Sequence, residues 1–202
     1  MSTPACTLDA RPPSTPAPTP HLPGDLAIWI FILAELLAFG VFLVAYAFAR
    51  SGDVAGFDAR QLGLDRNAGA VNTVLLLTSS FFVVRATQEV AAGACARASG
   101  WLVGAIGCGL GFVVIKVFEY AEKFGAGVTL SSSTFDMFYL SLTFFHFMHV
   151  LLGLVILTAV WLGTRQRRYG PDNMNGIESG AAYWHMVDLV WLILFPLVYV
   201  MR

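Results

Sequence analysis

The chain has 202 residues, of which 57% are hydrophobic and only 12% charged, with a mean hydropathy of +0.70 and a net charge of −1. A soluble domain carries roughly 25% charged residues, so the composition points to a polytopic membrane protein whose extent is set by its spans. A near-neutral chain offers no basic field for nucleic acid, and the three cysteines, Cys6, Cys95 and Cys108, form no C-x-x-C pair and argue against a disulfide framework or zinc site.

Residues 1–20, "MSTPACTLDARPPSTPAPTP", lack the apolar core of a signal peptide. Prolines and small polar residues cannot bury enough surface to fold, which predicts a disordered tail. Residues 21–202 then form one transmembrane domain.

The first span, about 26–49, is "LAIWIFILAELLAFGVFLVAYAFA", long enough to cross ~30 Å of hydrocarbon. It holds Glu35 about ten residues in, close to the midplane. Desolvation there favours the neutral carboxyl unless a cation or a water-filled cavity faces it.

A polar loop, 51–67, leads to the second span at about 68–84, closed by Arg85 and Glu89. The third, about 98–118, carries Gly100, Gly104, Gly107 and Gly111 in two G-x-x-x-G pairs, a spacing that lets a neighbouring backbone approach closely. Lys116, Glu119, Glu122 and Lys123 gather where this span ends, most simply as a solvated helix end in which Glu119 pairs along the surface.

Ser133 and Asp136 have capping-box spacing ahead of the fourth span, about 134–162. Its "FFHFMHV" places His146 and His149 at i and i+3 near mid-depth. The fifth, about 181–201, holds His185 and Asp188 with the same spacing, and Pro196, whose freed carbonyl neighbouring helices can satisfy. The fold expected is all-α, a bundle of five transmembrane helices. "RQRR" after the fourth span favours a cytoplasmic loop there, and hence a cytoplasmic N-terminus.

Ionisable groups at membrane depth are costly and need an account. Two are open from the residues alone. Glu35, Glu119, His146, His149, His185 and Asp188 could join in a buried hydrogen-bond network, with Glu35 handling protons. Alternatively His146 or His149 with His185 could ligate a haem or metal. There is no H-E-x-x-H, Walker loop or G-x-S-x-G, and too few histidines for a membrane di-iron hydroxylase.

"WIFILAELLAFGVFLVAYAF", "VNTVLLLTSSFFVVRA", "FEYAE", "FFHFMHVLLG" and "YWHMVDLVWLILFPLVYV" occur in the order found in subunit III of the haem-copper oxidase superfamily, which the chain resembles from residue 26 onward. Five spans rather than seven match the quinol oxidase members and the NorE branch, the accessory proteins of nitric oxide reductases. The wording "GIESGAAYWHMVDLVWLILFPLVYVMR" is most similar to that branch.

The resemblance implies a non-catalytic accessory subunit in a bacterial inner membrane, carrying no haem or metal and enclosing phospholipid between its helices. It would bind the catalytic subunit of a nitric oxide reductase in denitrification or, alternatively, of a terminal cytochrome c or quinol oxidase, where it supports proton uptake. It aligns Glu35 with a buried carboxylate that reacts with carbodiimide, and Glu119 with the Glu-Tyr that ends its span. His146 and His149 align with the pair of "H-G-L-H-V", and His185 with Asp188 align with "W-H-F-V-D". Phe147 and Met148 replace the "G-L" of the first motif, a departure at an expected close helix contact.

Overall fold

The computed structural model describes residues 24–201; the expected tail, 1–20, lies outside the described residues. Among the described residues the chain is built of helices: α1 (Leu26–Gly52), α2 (Val54–Gln61), α3 (Arg66–Ala91), α4 (Cys95–Gly125), α5 (Thr134–Arg165) and α6 (Asn175–Phe195), which continues as one wider π turn, Pro196–Val200. Five of them are long and apolar enough to cross a membrane.

Local chemistry sets most boundaries. Asp25, Asp65 and Ser133 sit at N-caps, each accepting backbone N–H bonds from the first turn that follows. Turns at Gly93 (φ 74°) and Gly127 (φ 77°) end α3 and α4 in the left-handed region that glycine enters without steric penalty.

Two expectations need correction. The third span does not stop near residue 118: α4 runs on to Gly125, because Glu, Lys and Ala are strong helix formers and nothing breaks the ladder before Gly127. The polar loop 51–67 contains α2, which begins where Asp53 accepts from Gly56 N at 3.0 Å and buries Phe57 against Tyr46 and Phe135.

The core lies between α4, α5 and α6, where Trp184, Trp191, Tyr183, Tyr139 and Phe112 are almost completely buried. Trp184 is the wedge at its centre. A Cβ on Gly153 would stand 2.7 Å from its ring, and one on Gly109 would meet it at 3.0 Å, so both backbones come flush against the indole.

The predicted G-x-x-x-G positions divide by direction. Gly104 faces Phe82 and Gly111 faces Leu75 of α3, whereas Gly100 and Gly107 open onto empty space on the outer face of α4. At about 100° per residue the four share one face of α4, and α3 covers only the edge of that face that carries Gly104 and Gly111.

α1 is the outlying helix. It rests chiefly on α6 and α5, with only Ile32, Phe39 and Tyr46 buried along its length. Hydrogen bonds hold both its ends: Gly24 N donates to Glu178 Oε2 (2.9 Å), and Asp25 N to Ser179 Oγ (3.1 Å). Far along the helix, Arg50 donates to Met201 O (2.5 Å) and Tyr46 to Leu197 O (3.4 Å). With Gln61 donating to Val198 O at 2.8 Å, side chains from α1 and α2 satisfy carbonyls of the turn that follows Pro196.

Candidate functional site

The polar side chains buried in the bundle fall into separate cells. The most elaborate lies toward the end where α4 finishes, α5 begins and the Pro196–Val200 turn closes α6. Lys116 is fully buried, its Nζ 3.1 Å from Glu119 Oε2 and donating to Tyr199 OH at 2.7 Å. The other carboxylate oxygen accepts from Tyr139 OH (2.5 Å) and Tyr199 OH (2.6 Å).

Around the ammonium stand the rings of Tyr120, Trp191, Tyr199 and Tyr139, with centroids 5.1 to 5.6 Å away. A buried ion pair repays its desolvation only when further partners are supplied; here two phenols bond Glu119, and Lys116 has the Tyr199 hydroxyl and the four surrounding rings. The solvated helix end expected at Lys116 and Glu119 is therefore incorrect. Three more residues than anticipated take part: Lys116 as an interior cation, Tyr139 and Tyr199.

The second cell joins α1 to α5. His149 Nε2 lies 3.0 Å from Glu35 Oε2, and its Nδ1 bonds Phe145 O at 2.8 Å. A carbonyl only accepts, so Nδ1 carries a hydrogen. Nε2 and Glu35 must then share one further proton, as neutral acid with neutral imidazole or as carboxylate with imidazolium, since otherwise two lone pairs would face each other. Both arrangements leave the pair without net charge, which suits a membrane interior. The Glu35 side chain retains 20% exposure, against 7% for Glu119.

His185 forms the third cell. Its Nδ1 is 2.5 Å from Ser80 Oγ of α3, while Asp188 Oδ2 stands at 3.6 Å, beyond a hydrogen bond. The ring borders an apolar groove of about 530 Å³ between α1, α3 and α6, walled by Trp29, Ile32, Leu36 and Val84.

His146 belongs to none of these. It is completely buried, stacked on Trp191 (centroids 5.2 Å) with Phe112 and Phe39 edge-on, and neither ring nitrogen has a hydrogen-bond partner among the described residues. Asn72 on α3 is likewise buried, and among the described residues neither of its amide atoms has a partner.

The residues expected to form a single network are thus distributed: Glu35 with His149, His185 with Ser80, Glu119 with Lys116 and two tyrosines, and His146 apart. The i, i+3 spacing of His146 and His149 aligns them along α5, yet one turns toward α1 and the other toward α4 and α6. Among the described residues no three His, Cys, Asp or Glu side chains converge as a metal-ligand set, and both nitrogens of His149 are already engaged. Of the two residues replacing the expected "G-L", Phe147 packs on Tyr120 (5.8 Å) and Met148 points outward, so the close helix contacts fall instead at Gly109 and Gly153.

A family model described as "Cytochrome c oxidase subunit III" matches residues 24–202. Among similar proteins, the quinol oxidase subunit 3 of Bacillus subtilis is 28% identical over 176 residues, 87% of this chain and 86% of its own. The cytochrome c oxidase subunit 3 of Synechocystis is 30% identical over 207 residues, covering 100% of this chain and 88% of its own. The haem-copper oxidase subunit I+III of Aeropyrum pernix is 31% identical over 180 residues, 86% of this chain but 22% of that longer one.

Proposed function

Because the chain belongs to the cytochrome c oxidase subunit III family, we propose that it is a non-catalytic accessory subunit of a terminal oxidase of the quinol or cytochrome c type, seated beside the catalytic subunit in a bacterial inner membrane. The observation that carries this reading is the similarity along nearly the whole chain to proteins named as the third subunits of such oxidases. The Aeropyrum relative, whose name joins subunits I and III in one polypeptide, supports a direct pairing with subunit I. In this role the chain holds no redox centre, phospholipid fills the spaces between its helices, the N-terminus faces the cytoplasm, and the Glu35–His149 pair bears on proton supply to its partner.

The C-terminal wording "GIESGAAYWHMVDLVWLILFPLVYVMR" favours a second reading, an accessory protein of nitric oxide reductase. The five-helix layout does not favour it over the first, since alignment takes in 86% of the Bacillus quinol oxidase subunit as well.

Affinity purification in mild detergent tests both. The expected result is a co-purified haem-bearing catalytic subunit that reduces oxygen, and a deletion strain in which haem content is kept while turnover or detergent stability falls. A complex that reduces nitric oxide instead would select the second reading. A chain that purifies alone with a stoichiometric haem would sink both.

A further inference from the structure

α1 and α6 run parallel, and the bonds that tie their ends set each residue of α1 level with one 151 to 154 positions later. α3 runs the other way beside α6, with Ser80 level with His185. Because α1 rests on α6 and α5 and scarcely meets α3, the three helices leave between them the apolar groove of about 530 Å³ that His185 borders.

This register orders the walls by depth. Glu178 and Gln88 stand at the mouth, Ile32 and His185 lie about two turns further in, and Leu36 with Leu189 form the deep end near the bilayer centre. No lysine or arginine lines the groove; Arg85 of α3 pairs instead with Glu89 and lies over the Trp101 ring. A phosphodiester here would face the Glu178 carboxylate with no cation to offset it, so the walls suit an amphiphile with an uncharged head.

Two donors on facing helices are unspent. Gln88 Oε1 accepts from Arg85 at 3.3 Å, while its amide nitrogen has no hydrogen bond among the described residues. His185 spends Nδ1 on Ser80 Oγ (2.5 Å), which leaves Nε2 without a partner among them, on a side chain 36% exposed. If Ser80 donates to Nδ1, the ring hydrogen is on Nε2; a protonated ring, with Asp188 3.6 Å from Nδ1 as counter-charge, also donates from Nε2. Helical side chains lean toward the N-terminus of their own helix, so Gln88 leans into the groove and His185 back toward its mouth. A flat ring with carbonyls on opposite edges and an apolar tail matches those two donors, walls that include Trp29 and Met186, and a deep end of leucines.

We propose that this groove binds an isoprenoid quinone, its ring held between His185 Nε2 and the Gln88 amide and its tail running past Leu36 and Leu189. The other neutral tautomer of His185, donating from Nδ1 to Ser80, presents a lone pair at Nε2 to the hydroxyl of the reduced form, so both oxidation states fit. The site serves binding alone, with no electron transfer, and is independent of which complex the chain joins.

Photolabelling of the full-length protein in phosphatidylcholine nanodiscs with a short-chain azido-ubiquinone, competed by decylubiquinone and mapped by mass spectrometry, tests this. The label should concentrate on residues 80–88 and 181–189 and be displaced by decylubiquinone. His185→Leu should weaken that competition about tenfold, and His185→Gln, whose amide still donates, should keep much of it. Leu36→Trp, which fills the deep end without touching either donor, should abolish the site even if His185→Leu fails to fold. Val155→Trp, on an exposed face of α5, should change nothing. Label spread over all outward-facing helices, or a pattern unchanged in both His185→Leu and Leu36→Trp, would overturn the site. Displacement by phosphatidylglycerol as strong as by decylubiquinone would overturn the quinone assignment in favour of an ordinary lipid.

Discussion

Glu119 and Glu35 are two carboxylates in one apolar bundle, held in opposite ways. Glu119 is enclosed by α4, α5 and the C-terminal turn and uses both oxygens, on an ammonium and two phenols. Glu35 sits on the least buried helix, meets one imidazole, and keeps part of its side chain exposed. The first arrangement fixes a charge in place; the second shares one proton between two groups, and either placement of it leaves the same net charge. Saturation of partners, rather than depth alone, separates a structural acid from one able to take part in chemistry.

The contrast breaks most sharply at Lys116. Lys116→Met leaves Glu119 ionised or forces it neutral among the tyrosines, and should cost about 3–5 kcal/mol in unfolding free energy measured in detergent. The double variant Lys116→Met/Glu119→Leu should recover much of that loss, because no charge is left without a partner. A single variant as stable as the wild type would show that the cell is solvated after all.

Next in size is the packing that separates the two cells. Gly153→Ala drives a Cβ to 2.7 Å from the Trp184 ring, which Gly109 blocks from behind. We expect a loss of about 1–3 kcal/mol and a change in tryptophan fluorescence, and an unshifted melting curve would mean the indole has room to move.

Glu35→Gln should cost little, about 0.6 kcal/mol, because the amide can donate to the same Nε2. Its signature is chemical: a hydrophobic carbodiimide should label Glu35 and leave Glu119 unmodified, and the label should vanish in the variant. Labelling of Glu119 to the same extent would erase the distinction. Smallest of all, Gly107→Ala meets only open space and should leave stability within about 1 kcal/mol, with any change toward greater stability from helix propensity.

Hydropathy revealed the five spans because an apolar run of some 20 residues has few other uses. The Ser133 cap was equally legible, since Ser133 Oγ accepts from Asp136 N three residues away at 3.1 Å. Partners remote in sequence were not. Tyr199 reaches Glu119 across 80 residues, Glu35 reaches His149 across 114, and Ser80 reaches His185 across 105, distances no local spacing encodes.

One buried pair does have a local sequence form. Lys116 interrupts "GLGFVVIKVFEY" inside an apolar run with an acid three residues on, which is the sequence form of a buried i, i+3 pair. α2 leaves no such form, because eight residues with a single buried aromatic, Phe57, carry too little periodicity.

The bonds that hold both ends of α1 also order the birth of the molecule. Gly24 and Asp25 wait for Glu178 and Ser179, and Tyr46 and Arg50 wait for Leu197 and Met201, each some 151 to 154 residues later. Among the described residues, the first membrane helix is therefore secured at both ends only once the last one is in place. Glu35 gains its partner earlier, with His149 114 residues on, so a chain cut before α5 would leave that acid unpaired in the bilayer.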